Sequence, residues 1–166
     1  ACLTLALTPT AEDANDPFRG AVEVCRFSFE ASVDLDYDRQ PDDWVRRVGR
    51  EFPHYVTGEI DHAHGQTGRQ SLTFQANGGA AIFYSPAWPV DALHAYVFQG
   101  FVRTENLRHN AAVISLSFLN HKRQRLQRFL TTPVSGTHAG WVRLRLGPIS
   151  PDPAVAYVVI GCHVVN

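Results

Sequence analysis

The chain has 166 residues, of which 45% are hydrophobic and 19% charged. This composition is typical of one globular domain and excludes a disordered tail. The formal net charge is −1, from 15 Lys+Arg and 16 Asp+Glu, whereas a nucleic-acid-binding domain is usually distinctly basic. No apolar run approaches the roughly 20 residues that a membrane-spanning helix needs. We therefore expect neither a nucleic-acid partner nor a membrane partner.

The first segment, residues 1–20, is predicted to be a strand followed by a polar loop. Leu3, Leu5 and Leu7 alternate with small or polar residues within Ala1–Thr8, and this period of two predicts a strand. An apolar run ending in small residues is also typical of the tail of a secretory signal peptide, which remains the alternative. Residues 21–166 are predicted to form the domain itself.

From Ala21 onward the pattern is almost entirely that of β-structure. The predicted strands are Ala21–Glu30, Tyr55–Ile60, Ser71–Gln75, Ala80–Ser85, Ala95–Thr104, Ala111–Asn120, Leu126–Thr131, Trp141–Leu146 and Ala154–Val165. Only Asp43–Arg50 could form a short helix, and Gly49 weakens that interpretation. Short strands at regular spacing predict an all-β fold, specifically a single antiparallel β-sandwich of two facing sheets.

The three cysteines, Cys2, Cys25 and Cys162, are an odd number, so at least one thiol is unpaired. None has the Cys-x-x-Cys spacing of zinc or redox sites. Cys25 and Cys162 lie in apolar, strand-like surroundings, where a free cysteine usually packs as a small hydrophobic residue. A Cys2–Cys25 or a Cys25–Cys162 disulfide is the alternative.

Two stretches offer metal-ligating residues. Asp34, Asp36 and Asp38 begin like a calcium loop, but Arg39 and Val45 occupy the positions where an EF-hand needs Gly and Glu. A solvated acidic loop is favoured, with calcium in another geometry as the alternative. His62 and His64 have a spacing that suits zinc or copper on a strand, yet such a pair is a weak signal in a turn-like region.

No sequence motif indicates catalysis. The chain has no nucleophile elbow, no glycine-rich phosphate loop opening a helix, and no two carboxylates whose spacing pairs them. We therefore predict that the chain is not an enzyme. A basic hairpin tip at His121–Arg125 is either a solvated turn that protects an edge strand or a contact for an anion.

Several motifs follow one another in an order that resembles a known family. They are Phe27–Glu30, Pro41–Trp44, the Asp61–Leu72 segment, the strands at Ala95–Thr104 and Ala111–Asn120, and Pro133–Val142. This order is similar to that of the jelly-roll carbohydrate-binding modules of the galactose-binding-like superfamily, especially the xylan- and β-glucan-binding kind. The resemblance covers roughly Phe27 to Val165 and implies a jelly roll.

The resemblance also implies a ligand site and a metal site. Sugar rings pack their C–H faces on aromatic rings and pair their hydroxyls with polar side chains. The candidate aromatic platforms are Trp44, Tyr55, Tyr84 and Trp88, and the candidate polar partners are Arg46, Arg69, Gln99, Arg103 and Asn120. Trp141 and Trp44 match positions that are usually structural, and a buried Arg103 would need a carboxylate such as Glu59.

A structural calcium ion is implied at Glu30 and the Gly65–Ser71 turn. The chain departs from the family pattern in two places: Cys25-Arg26 replaces an Asn-Pro pair, and the closing acidic pair is missing.

The function that this resemblance implies is a non-catalytic module that attaches a larger protein or assembly to a polysaccharide or other glycan. Such a module would be extracellular or part of the cell envelope. Two alternatives remain open. The same sandwich could make protein–protein contacts at the cell surface or in a filament, or it could carry a small hydrolase on a jelly roll.

Overall fold

The computed structural model describes residues 19–31, 34–76 and 78–165, and all its regular structure in these ranges is β. The strands are β1 (Val45–Arg46), β2 (Thr57–Asp61), β3 (Ser71–Gln75), β4 (Ala81–Tyr84), β5 (Trp88–Pro89), β6 (Tyr96–Val102), β7 (Leu107–Leu119), β8 (Arg125–Leu130), β9 (Val134–Gly136), β10 (Val142–Ile149) and β11 (Tyr157–Val165). The all-β prediction is confirmed. The predicted strand Ala1–Thr8, most of the following loop and Cys2 lie outside the described residues.

The described strands form three antiparallel sheets. The largest has the order β1-β4-β11-β7-β8, with β5 pairing β11 and β9 pairing β7. Its longest strand pairing joins β11 to β7, from Tyr157↔Leu119 to Val165↔Ala111. The other two sheets are the pairs β6–β10 and β2–β3.

Residues from all three sheets share one hydrophobic core. In the second half of β7, alternate residues enter it, namely Ile114, Leu116 and Phe118. Phe98 of β6 and Leu72 of β3 belong to the same cluster. Because each strand alternates its side chains between two faces, burying one face of each sheet yields a β-sandwich-like arrangement.

The structure corrects the predicted strand at Ala21–Glu30 and adds three short strands that were not predicted, β1, β5 and β9. The segment Ala21–Glu30 contains only a single bridge residue, Phe27, and Val22 and Val24 are exposed, because no strand of the described residues pairs along it. The Asp43–Arg50 segment contains β1 instead of a helix, since Val45 and Arg46 pair with β4. In the described part of the chain, no helix is long and apolar enough to cross a membrane.

The two cysteines within the described residues are buried thiols, as predicted, and no disulfide joins Cys25 to Cys162. Burial, assisted by the negative charge of Glu23, raises the pKa of the Cys25 thiol to about 11. This thiol is therefore protonated and unreactive at neutral pH.

Candidate functional site

The side of the seven-stranded sheet that faces away from the core carries polar residues. Between the core positions, β7 carries Ser115 and Ser117, and β11 carries Val159, Gly161 and His163. Gly161 lies between Ser115 of β7 and Tyr84 of β4, and Ser117 lies opposite Arg128 of β8. We call this surface the polar face and define it by Arg47, Tyr84, Ser115, Ser117, Arg128, Gly161 and His163.

A hydrogen-bonded network lies at the centre of the polar face. The Ser115 Oγ and His163 Nε2 atoms are 2.7 Å apart, and Arg128 Nη2 is 3.3 Å from the same nitrogen. The Tyr84 ring meets the His163 ring edge-on, with centroids 6.2 Å apart. Ser115 is 0% exposed and His163 only 4% exposed, whereas Arg128 is exposed.

Gly161 leaves room for this network. A Cβ atom at this position would lie 2.5 Å from Ser115 Oγ and 2.6 Å from His163 Nε2. Contacts this short are essentially never seen for real side chains, so either the serine or the histidine would have to move. The glycine therefore allows two polar side chains to meet over the middle strand.

The imidazole of His163 is uncharged at neutral pH. Burial, together with the positive charges of Arg128 and Arg47, lowers the pKa of His163 to about 4. Because a guanidinium can only donate, Nε2 accepts the hydrogen bond from Arg128, which places the ring proton on Nδ1. Among the described residues, no carboxylate lies within ion-pair distance of Arg47 or Arg128.

The contact between Ser115 and His163 has the spacing of a nucleophile and its general base. The serine is completely buried, however, so its hydroxyl cannot reach a substrate in this arrangement. We therefore assign the pair a positioning role: Ser115 holds the ring of His163 in place beneath Arg128.

The four predicted aromatic platforms do not form one surface. Tyr84 lies on the polar face, but Trp88, which is 40% exposed, is in register with Val158, a core residue. Because directly paired residues share a face, Trp88 and Tyr84 lie on opposite faces of the sheet. Tyr55 is exposed beside His54 and lies outside the strands.

The prediction of Trp44 as a platform is wrong in this structure. Trp44 is only 8% exposed, and its ring packs against Phe27 and Phe29, at 5.4 and 5.1 Å between centroids. The opposite correction applies to Trp141, which was expected in the core but is half-buried beneath the guanidinium of Arg103 at 5.9 Å.

Two of the predicted polar partners fix local structure. Arg46 Nη2 donates to the carbonyl oxygens of Pro53 and Val56, at 2.9 and 2.7 Å, and so ties β1 to the loop before β2. Asn120 Oδ1 accepts the N–H groups of Lys122 and Gln124 and closes the β7–β8 turn. Neither side chain belongs to the polar face.

The other three predicted polar partners also lie elsewhere. Arg103 is exposed and follows β6, and its expected partner Glu59 instead pairs with Arg39 at 3.5 Å. Gln99 is in register with Arg145 of β10, within the β6–β10 sheet. Arg69 is exposed in the turn before β3.

The predicted metal residues Glu30, Gly65 and Ser71 belong to one region, although Glu30 is about forty positions away in sequence. Glu30 Oε1 accepts the N–H groups of Arg69 at 2.8 Å and Gln70 at 2.6 Å. Gly65 begins the same turn and the buried Ser71 begins β3.

Two buried side-chain oxygens of this turn, Gln66 Oε1 and Gln70 Oε1, have no hydrogen-bond partner among the described residues. Carboxylate and amide oxygens are the ligands that calcium prefers. The donor set at the Glu30 turn therefore fits such an ion.

The acidic loop brings together Asp34, Asp36 and Asp42, with one carboxylate oxygen of each within 4.8 Å of the others. Asp38, which the sequence pattern included, instead accepts hydrogen bonds from Gln40. Each of the three carboxylates accepts a backbone N–H group of the loop, whereas Asp34 Oδ1 is buried without a hydrogen-bond partner among the described residues.

Of the histidine pair His62 and His64, which was considered as a zinc or copper site, His64 instead contacts a carboxylate. His64 Nδ1 lies 2.9 Å from Asp61 Oδ2, an ion pair if the ring is protonated. Within the described ranges, neither His62 nor His64 belongs to a group of three side chains that could hold a metal ion.

No protein-family model matches the chain, and no curated protein is similar to it. Among solved structures, the chain is similar to the enzymatically active domain of tailspike protein 4 of bacteriophage CBA120, with a TM-score of 0.50 and 15% sequence identity. The match covers 76% of this chain and 18% of that chain, so this chain spans less than a fifth of the tailspike domain. At this identity the likeness shows the fold alone.

This comparison corrects the prediction that the chain is not an enzyme, because the similar structure is an enzymatically active domain. The lack of local catalytic motifs does not exclude catalysis, because side chains from distant strands can converge in a β-fold. The galactose-binding-like family is not matched, and only the coarser β-sandwich-like all-β fold holds.

The sequence reasoning missed the polar face. The sequence did contain a signal for this face: Ser115 and Ser117 alternate with apolar residues on β7. Gly161 and His163 alternate with apolar residues on β11. Both pairs were interpreted only as strand residues, because their pairing across 48 positions is not visible in the sequence.

Proposed function

We propose that the chain is a glycan-binding β-sandwich module of a larger protein and that the polar face holds the sugar. The observation that carries this proposal is the network of the buried Ser115 and His163 with the exposed Arg128, on the side of the sheet away from the core. Burying polar groups costs free energy that an apolar surface would not cost, so a network here favours a role in binding.

The chemistry of the polar face suits a sugar. Tyr84 offers a half-buried ring for C–H faces, and Arg47 and Arg128 offer exposed donors for hydroxyl oxygens. The similar tailspike domain is much longer than this chain, which supports a module within a larger protein. We further propose the jelly-roll arrangement and a location outside the cell or in the cell envelope.

A second candidate function is protein–protein assembly through the same side of the sheet. Leu126 and Leu130 on the edge strand β8 are exposed, and Leu130 is directly opposite Ser115. Exposed apolar residues beside an edge strand are typical of contacts between proteins.

The test is a polysaccharide pull-down and a glycan array with the whole chain. The matched variants are Tyr84→Ala on the polar face and Trp88→Ala on the opposite face of the sheet. We expect Tyr84→Ala to lose the bound polysaccharide and Trp88→Ala to retain it. If the wild type binds no glycan but self-associates, and Leu130→Asp abolishes the self-association, the assembly function replaces this one.

The bound polysaccharide is also incubated with the chain and assayed for new reducing ends. An increase over the untreated polysaccharide assigns the module a hydrolytic activity in addition to binding. This measurement follows directly from the tailspike comparison.

We also propose that the Glu30 turn binds a structural calcium ion, with Glu30, Gln66 and Gln70 supplying oxygens. A bound ion stabilises the native state by mass action. Thermal unfolding in calcium and in EGTA should differ for the wild type and for the control Glu23→Gln, but not for Glu30→Gln. Equal melting temperatures of the wild type in both buffers would contradict this site.

A further inference from the structure

Two arginines of the polar face come from opposite edges of the sheet, Arg47 next to β1 and Arg128 on β8. β11 is the central strand of the order β1-β4-β11-β7-β8, and His163 lies on it. Arg128 comes from β8, two strands away, or about 10 Å at the usual spacing of strands. Arg47 follows β1, two strands away on the other side, where its backbone N–H donates to Ile82.

Both guanidinium groups have partners that hold them without neutralising them. Arg128 donates to the uncharged His163 ring at 3.3 Å, and Arg47 stacks on the Phe52 ring at 5.0 Å. Arg128 contacts His163 directly, and the positive charges of both arginines lower the pKa of that ring.

The surrounding sheet supplies no negative charge. None of the five strands β1, β4, β7, β8 and β11 contains an Asp or a Glu. The 16 acidic residues of the chain all lie elsewhere in the sequence. Among the described residues, neither Arg47 nor Arg128 forms an ion pair with an acid, and the strands of this sheet contain no acid that could neutralise them.

An anion would complete this arrangement better than a neutral group. A carboxylate accepts two parallel hydrogen bonds from a guanidinium, and such charge-assisted bonds are about twice as strong as neutral ones. The Tyr84 ring beside His163 offers a packing surface for the ring that carries the carboxylate.

We infer that the polar face contains a carboxylate subsite, in which Arg47 and Arg128 bind the acid group of a uronic acid residue beside His163. The ligand class is then an acidic polysaccharide. This inference rests on the proposed function, because it names the kind of glycan that the same face binds.

The first test compares two forms of one polymer: polygalacturonate and its fully methyl-esterified form, which lacks the charge. We expect the wild type to bind polygalacturonate at least about tenfold more tightly. Equal affinity for the two forms would overturn the carboxylate subsite and leave the glycan-binding proposal standing. Failure to bind these and every neutral polysaccharide of the array would overturn both.

The second test locates the bound acid with three matched variants. Arg47→Gln and Arg128→Gln each remove one charge from the polar face, and Arg143→Gln removes one from the exposed part of β10. The first two should each weaken polygalacturonate binding by about tenfold, and the third by less than about twofold. Equal losses in all three would mean unspecific attraction to a cationic chain and would overturn the subsite.

The third test measures the pKa of His163, which lies within the proposed subsite. In an NMR titration of the His163 ring, galacturonate should raise its pKa, because a nearby anion favours the charged imidazolium. Arg128→Gln should abolish that response. An unchanged His163 titration in the wild type at saturating galacturonate would place the acid elsewhere and overturn the inference.

Discussion

Strands β7 and β11 have two faces of opposite character. Toward the core, β7 places Ile114, Leu116 and Phe118, and these side chains are almost completely removed from water. Away from the core, the same strand places Ser115 and Ser117, which are as deeply buried but polar.

The core face of these strands stabilises the fold, whereas the polar face is available for a function. Burying apolar surface is the main favourable term in folding, so the core face accounts for stability. Burying hydroxyl and imidazole groups contributes little net stability even when they are hydrogen-bonded. The polar face is therefore the better candidate for a function.

The largest expected effect is on the core face. Phe118 is 0% exposed and packs against the rings of Tyr96 and Phe129, so Phe118→Ala should lower the free energy of unfolding by about 3–5 kcal/mol. The control Ser117→Ala, on the polar face of the same strand, should lower it by about 1 kcal/mol. Chemical denaturation measures both, and similar losses would contradict the division between the two faces.

The second effect is a pH dependence that comes from the polar face. The pKa of His163 is about 4 in the folded chain, against an ordinary histidine value of 6.5. Between these values the unfolded state binds more protons, so stability falls as the pH is lowered from about 6.5 to 4, by about 3 kcal/mol in all.

This pH dependence is checked by denaturant titrations at a series of pH values. His163→Gln should remove most of the loss in this window, whereas the control His62→Gln, in an exposed turn, should keep it. A wild-type stability that stays constant from pH 6.5 to 4 would show that His163 is not buried as described.

The smallest of the three expected effects comes from filling the space at Gly161, next to Ser115 and His163. Gly161→Ala places a Cβ against Ser115 and His163, and it should destabilise the chain by about 1–3 kcal/mol. Gly140→Ala is the matched control, since nothing lies within 4 Å of its Cβ position. If both substitutions have the same effect on thermal unfolding, the polar face is not closely packed around Gly161.

Strands of five residues or more could be predicted because their pattern of hydrophobic residues persists over several positions. The prediction for Ser71–Gln75 coincides with β3, and those for the strands that became β7, β8 and β11 differ only at their ends. By contrast, β1, β5 and β9 have two or three residues each, which is too short for any periodicity. They exist because a neighbouring strand of the same sheet, β4, β11 or β7, offers free backbone hydrogen-bonding groups.

The candidate site was much less predictable than the strands. Aromatic residues were judged by type, but burial against Phe27 and Phe29 removes Trp44 from the surface, and strand pairing puts Trp88 on the opposite face from Tyr84. The family resemblance did lead to Glu30 and its turn, whose contact joins residues 39 and 40 positions apart.

The amino-acid sequence alone determined that this protein is built from β-strands, because a two-residue period in hydrophobicity is a local property of each segment. Only the tertiary structure decided which alternate residues meet. The polar face joins side chains from β7, β8 and β11, because antiparallel pairing brings together positions as far apart as Ser115 and His163. Register is set by the packing of the whole sheet, and no single segment contains that information.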